Sequence, residues 1–139
     1  MPYKFIENVT RADLCFEATG KNLTALFQSA ADAVLAAMAD VRSIKKKITK
    51  KVIIEAETVE DLLYNFLEEI IFLKDAENLV FADAQVTVSP DQKKATATLF
   101  GDTVSPTTQK LHQDVKAVTR HYYKVEKNGE WKTQIVLDI

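Results

Sequence analysis

A chain of 139 residues, 47% hydrophobic and 27% charged, has the size and balance of one domain around one core. A formal net charge of -2 leaves no general basic footprint for nucleic acid, and a single cysteine, Cys15, excludes an intrachain disulfide. The three glycines, Gly20, Gly101 and Gly129, lie too far apart for a loop that cradles phosphates. No run of about 18 apolar residues is present, and MPYKFIEN has no apolar core behind a basic start. The expectation is a cytoplasmic protein without membrane span or secretion signal, in which the sequons at Asn8 and Asn22 carry no meaning. With no repeat, low-complexity tract or linker, residues 1–139 read as one domain.

Residues 3–7 and 14–19 read as two short strands around the polar stretch ENVTRAD, with Leu14, Phe16 and Ala18 on one face of the second. Cys15 then reads as a buried thiol. Gly20 ends that strand and Asn22 is placed to cap a helix. Leu23, Leu26, Phe27, Ala30, Ala31, Val34, Leu35 and Met38 follow the spacing of one buried helical face.

SIKKKITKKVIIEAE alternates from Ile48 to Ala56 and predicts a strand. Its lysines at 45–47 and 50–51 either meet an RNA backbone or, as such runs more often do, form a solvated edge that discourages aggregation. TVEDLLYNFLEEIIFLKD predicts a second helix with Thr58 as N-cap and Asp61 at the acidic capping-box position. Leu62, Leu63, Phe66, Leu67, Ile70 and Ile71 form its stripe. Glu68 and Glu69 are adjacent and so do not face each other, which makes them rim residues rather than an acid pair.

LVFADAQVTV and KKATATLF flank SPDQ as a strand, turn and strand. GDTVSPTTQKLHQD is a long polar loop, of a kind that often carries function. DVKAVTRHYYKVEK and EWKTQIVLDI flank Asn128-Gly129, which favours a type I′ hairpin turn. A two-residue turn sets Thr119 opposite Asp138, and a slip of one sets Val118 or Arg120 there. Two helices among about seven strands give an α+β fold, the helices packed on mainly antiparallel sheet.

Few residues are arranged for chemistry. His112 and His121 are the only histidines, no serine sits in a nucleophile elbow, and Cys15 has no activating neighbour in sequence. One cysteine and two separated histidines do not make a structural zinc site. What remains is oxygen ligation. Asp13 opens an apolar strand, Asp138 closes one, and the carboxylate of Ile139 adds an anion. Oxygen-only sites suit Ca²⁺ or Mg²⁺, although acids at strand ends are more often simply solvated.

Three blocks in order carry a resemblance. FIENVTRADLCFEATGKNL places a polar motif ending in Ala-Asp before a strand, a glycine and a helix. EAETVEDLLYNFLEEIIFLKDAENLVF supplies the second helix and the next strand. DVKAVTRHYYKVEKNGEWKTQIVLDI closes the chain with VKAVT, a histidine two positions on, Trp-Lys after the turn, and a terminal Asp plus aliphatic residue. Together they resemble the archease family over nearly the whole length. Two positions depart from its pattern. Val9-Thr10-Arg11-Ala12 precedes Asp13 where the family usually has His-Thr-Ala, and Arg120 follows VKAVT where tyrosine is common.

The resemblance implies a non-catalytic activator of the GTP-dependent RNA ligase RtcB in tRNA splicing and RNA repair, promoting ligase guanylylation and multiple turnover. It implies a divalent cation, Ca²⁺ first and Mg²⁺ or Mn²⁺ as alternatives, held by Asp13, Asp138 and the backbone oxygen of Ile139. It makes Lys116 the lysine of ligase activation or phosphate contact. The partner is then an RtcB-type ligase, with RNA reached through it, no membrane and no DNA specificity. The alternative is a chaperone-like modulator of nucleic-acid-processing proteins in which the acids play no part.

Overall fold

A computed structural model describes residues 2–6 and 13–139. Glu7, the last residue of the first expected strand, and the altered motif Val9–Ala12 lie outside the described residues. In chain order come β1 (Tyr3–Ile6), β2 (Asp13–Gly20), α1 (Leu23–Met38), a 3₁₀ turn (Val41–Ser43), β3 (Ile48–Glu55), α2 (Val59–Glu77), β4 (Leu79–Val88), β5 (Lys94–Thr103), β6 (Ala117–Asn128) and β7 (Glu130–Asp138). They form a four-stranded sheet, β1-β2-β7-β6, and a three-stranded sheet, β3-β5-β4. Every pairing is antiparallel. The expected α+β class holds, with the strands divided between two sheets. Both helices pack on strands of both sheets and fill the space between them.

That placement explains α1. All eight residues of its expected stripe are buried, and so are Ser29, Ala33 and Ala37. A helix with a sheet on either side has little solvent face, so its remaining positions must be small or satisfied. Ser29 donates to Thr19 O at 2.8 Å and to Ala25 O at 2.9 Å. Asn22 caps the helix as its position predicts, its Oδ1 accepting from Ala25 N–H at 2.8 Å. Gly20 lets β2 end hard against α1, because a Cβ there would stand 2.3 Å from the backbone nitrogen of Leu26.

α2 starts at Thr58, whose hydroxyl accepts from Asp61 N–H at 3.2 Å. The reciprocal half of a capping box is missing, because the Asp61 carboxylate is engaged by Arg120 instead. Its stripe, Leu62 through Ile71, is buried with Leu73 added. Asn78 closes the helix in the left-handed conformation at φ 56°.

The long loop after β5 is not loose. Asp40 N–H donates to Lys110 O, His112 N–H to Met38 O and Gln113 N–H to Ala37 O, at 2.8 to 3.0 Å. The last carbonyls of α1 thus receive donors from the loop. The loop then delivers Val115 into the core, fully buried, directly before Lys116.

The closing hairpin departs from expectation twice. Gly129 alone takes a positive φ, 83°, while Asn128 stays in β6 and pairs with Glu130, so the turn is not type I′. Pairing then breaks inside β6. Thr119 pairs with Val136 and Lys124 with Gln134, so Arg120, His121, Tyr122 and Tyr123 stand against Ile135 alone. Tyr122 sits at φ 54° within this bulge. The bulge absorbs the extra residues and puts Ala117 opposite Asp138, not Thr119, Val118 or Arg120.

Candidate carboxylate site at the end of the central strands

β2 and β7 are the central strands of the four-stranded sheet, and they pair without a break from Gly20–Trp131 to Asp13–Asp138. Phe16, Ala18, Ile135 and Leu137 turn inward and are buried. Asp13, Cys15 and Glu17 occupy the other face, opposite Asp138, Val136 and Gln134. Directly opposed residues carry their side chains on one face with Cβ atoms about 5 Å apart. The sheet therefore sets the carboxylates of Asp13 and Asp138 side by side, both half-buried.

Like charges in such a pair repel. Four residues along the same face, Glu17 is compensated, with Lys132 at 3.4 Å and Lys4 at 3.9 Å. At the strand end the residue directly across from Asp13 is itself an acid, Asp138. Cys15, between Asp13 and Glu17, is half-exposed rather than buried as its sequence context suggests. Partial burial pushes its thiol up, the charges of Asp13 and Glu17 add to that, and a hydrogen bond with Gln134 works against it. It is a weak nucleophile.

The other expected site residues converge here. Lys116 N–H donates to the main-chain oxygen of Asp138 at 2.8 Å, which fixes the backbone of both. The Lys116 side chain is exposed. Ile139 is half-buried and packs on the core, so β7 is pinned beyond its last paired residue. Asp13, Asp138, Lys116 and Ile139 thus share one end of the sheet.

Carboxylate, carbonyl and terminal oxygens are hard ligands of the kind Ca²⁺ and Mg²⁺ take. Two side chains do not fill a shell of about six to eight oxygens. Among the described residues no three His, Cys, Asp or Glu side chains gather to hold a metal ion. The remaining oxygens would come from the main chain at Asp138–Ile139 or from a partner.

Sequence reasoning missed how β6 is held. Tyr64 Oη donates to Val118 O at 3.0 Å, and Val118 N–H donates to Glu68 Oε2 at 3.4 Å. One turn of α2 thus satisfies both edge groups of the residue next to Ala117. Glu68 is no member of an acid pair but a strand clamp. Arg120, one of the two departures from the family pattern, lies 4.0 Å over the Tyr64 ring and pairs with Asp61 at 3.1 Å. Tyr123 Oη donates to Glu60 O at 2.6 Å, and burial, with the charge of Glu60 next, drives its ionisation far above the usual phenol range. Between these anchors Tyr122 is 84% exposed. The signal was the spacing of Asp61, Tyr64 and Glu68 along one face of α2, beside the apolar stripe.

Lys74, only 13% exposed, anchors the segment before Lys116. Its ammonium donates to Val115 O at 2.7 Å and contacts Asp114 and Asp75. Burial alone would push it down, but the two acids hold it above its usual range. The same contact holds the Asp114 carboxyl below its usual range. A cavity of about 360 Å³ bounded by Met38, Lys74, Leu111, His112 and Asp114 flanks this segment, and neither Asp13 nor Asp138 lines it.

A small α+β protein, helices between two antiparallel sheets and acids at the joined strand ends, defines the class. The profile of the Archease protein family (MTH1598/TM1083) matches residues 3–139, and the chain belongs to that family. It is 36% identical over 132 residues to the archease of Pyrococcus abyssi, covering 92% of this chain and 93% of that one. It is also 36% identical to the archease of Archaeoglobus fulgidus, with both chains covered in full. Among solved structures, protein 1598 of Methanobacterium thermoautotrophicum superposes with a TM-score of 0.79 at 26% identity, covering 99% of both chains. The Thermotoga maritima archease shares the fold, with a TM-score of 0.65 at 18% identity over 94% of this chain and 93% of that one. No helix among the described residues is long and apolar enough to cross a membrane.

Proposed function

We propose that this archease activates an RtcB-type RNA ligase, and that the paired carboxylates of Asp13 and Asp138 are the part it presents to its partner. The observation that carries the reading is their position directly across from each other on the two central strands. Two carboxylates held on one face at a strand end offer hard oxygens to a shared cation. In this reading a divalent cation, Ca²⁺ first, is held by Asp13, Asp138 and the main-chain oxygen of Ile139, with the partner completing its shell; the hard oxygen donors support it. Such an ion offsets negative charge on phosphate oxygens.

The chain's own groups do the positioning. The unbroken β2–β7 pairing fixes the spacing of the two acids, and the packing of Ile139 holds the strand end still. Lys116 is tied to Asp138 through its amide and exposed at its side chain, which supports a role for it in meeting a phosphate or an acidic partner residue. No acid–base or nucleophile arrangement among the described residues supports chemistry of the chain's own.

The test is multiple-turnover RNA ligation by the RtcB of the same organism, with the native protein and with Asp138→Ala. The expected result is strong stimulation that the variant loses while its circular dichroism stays native. Stimulation that survives Asp138→Ala overturns the site.

A second reading is a chaperone-like modulator that needs no acid pair. The Thermotoga maritima archease is described as a possible chaperone, and Phe72 and Ile53 here are 57% and 61% exposed. In that case stimulation is unchanged in Asp13 and Asp138 variants and falls when Phe72 is replaced by Ser.

A further inference from the structure

The lysine-rich strand β3 has no part in the carboxylate site, yet it is a long, regularly paired edge strand whose outward backbone is left open. On β4, the other edge of the same sheet, α1 covers the backbone. Gln28 Nε2 donates to Ala84 O, while Val86 N–H and Val88 N–H donate to Gln28 Oε1 and Thr24 Oγ1, at 2.8 to 3.1 Å. On β6, α2 covers Val118. β1 is four residues long.

The register of β3 shows which of its groups face outward. Ala56 N–H donates to Lys93 O, and pairing runs unbroken from Ile48–Gly101 to Glu55–Lys94. Antiparallel ladders alternate, so the even residues bond to β5 and the N–H and C=O of Thr49, Lys51, Ile53 and Glu55 point away from the sheet. Among the described residues nothing caps them. Their side chains share the solvent face, and Ile53 is 61% exposed there.

The charges along this strand are ordered. Lys46 is taken by Asp83 and Lys50 by Glu77. Among the described residues, neither Lys51 nor Glu55 makes an ion pair. Lysine on an edge strand ordinarily repels another strand. Here the cation and the anion lie symmetrically about Ile53, two residues before it and two after.

We infer that β3 is a self-pairing edge, whose occupant is β3 of a second copy of this chain running antiparallel about a two-fold axis at Ile53. In that register Ile53 covers Ile53 of the second copy. Lys51 of each copy faces Glu55 of the other, and about six main-chain hydrogen bonds form. Sliding the copies by two residues one way sets Lys51 against Ile53. The other way sets Ile53 against Glu55 and Lys51 against Glu57, which lies beyond β3 and is paired with Lys93. Either slide loses the Ile53 contact and both Lys51–Glu55 pairs. The result is a six-stranded sheet through both copies, with the carboxylate sites on the separate four-stranded sheets left free. One strand pair is a small interface, so the dimer is weak and concentration-dependent.

Sedimentation equilibrium from micromolar to submillimolar concentration tests this with two charge variants. The native protein is expected to pass from monomer to dimer. Lys51→Glu and Glu55→Lys are each expected to stay monomeric alone, by about tenfold or more in dissociation constant, and to dimerise when mixed. The mixed pair sets 51 of each chain against an opposite charge at 55 of the other. Ile53→Lys, a change at an exposed position, is expected to be monomeric with native circular dichroism. A native protein that stays monomeric throughout overturns the inference. So does either charge variant dimerising alone as the native protein does, or failure of the mixture to recover.

Discussion

Each helix stitches itself to the edge of one sheet, and the two stitches are chemically different. α1 reaches β4 with Thr24 and Gln28, neutral side chains one turn apart that match the strand's own spacing at Ala84, Val86 and Val88. α2 reaches β6 with Tyr64, Glu68 and Asp61, aromatic and charged groups that accept, donate and pair. The first holds β4 where its pairing has become regular again after a one-residue shift at Ala82, a stretch with no site on it. The second holds a strand that bulges, carries Tyr122 at a strained φ of 54°, and still brings Ala117 to Asp138 and Lys116 to its main chain. Neutral stitching is enough where the edge only has to be closed. The irregular strand that feeds the site is held by stronger, directional contacts.

Breaking the neutral stitch should cost the most stability and leave the partner function alone. Gln28→Ala removes the donor to Ala84 O and the acceptor of Val86 N–H in a part-buried place. A loss of about 2 kcal/mol is expected in urea unfolding, with ligase stimulation per folded molecule unchanged. Breaking the charged stitch should reverse that balance. Tyr64→Phe combined with Glu68→Ala should cost about 1 to 2 kcal/mol, but stimulation should fall more than the folded fraction does, because Val118 is released beside Ala117. Equal effects of the two variants on stimulation would remove the distinction.

The charged stitch should also have its own pH dependence. Tyr123 stays a neutral donor in the fold because its ionisation is pushed far up, while in the unfolded chain it ionises near pH 10. Its contribution is therefore present below about pH 10 and lost as pH rises beyond it, since the unfolded state then gives up a proton that the folded state keeps. Thermal midpoints between neutral pH and pH 11 should fall less steeply in Tyr123→Phe than in the native protein. Parallel curves would mean that the Tyr123 contact to Glu60 contributes nothing.

The smallest expected change in stability sits at the carboxylates. Asp138→Asn removes a cross-strand repulsion and should raise stability by about 0.5 kcal/mol in chelator, opposite in sign to the stitch variants.

The sequence carries much of this fold, and unevenly so. Local patterns carried both helices: the caps at Asn22 and Thr58 and each stripe residue named above are where the spacing put them. The acids at 13 and 138 stood out as strand-end residues, but that they face each other depends on β2 pairing with β7 across more than a hundred residues. Neighbouring residues do not encode such a contact. The register of β6 was misjudged because a turn fixes pairing only until a bulge intervenes, and nothing in RHYY announces how many residues it will absorb. The stitches went unread because Thr24, Gln28, Tyr64 and Glu68 lie off the apolar stripes, where polar residues are taken as solvated until a strand edge is found beside them.

The proposed role requires Asp13 and Asp138 to act together, and calcium titration calorimetry on the native protein and Asp138→Asn addresses that most directly. The predicted result is one saturable binding event in the native protein, abolished in the variant, whose melting temperature in chelator is equal or higher. The same binding in both proteins, or none in the native protein, would contradict it.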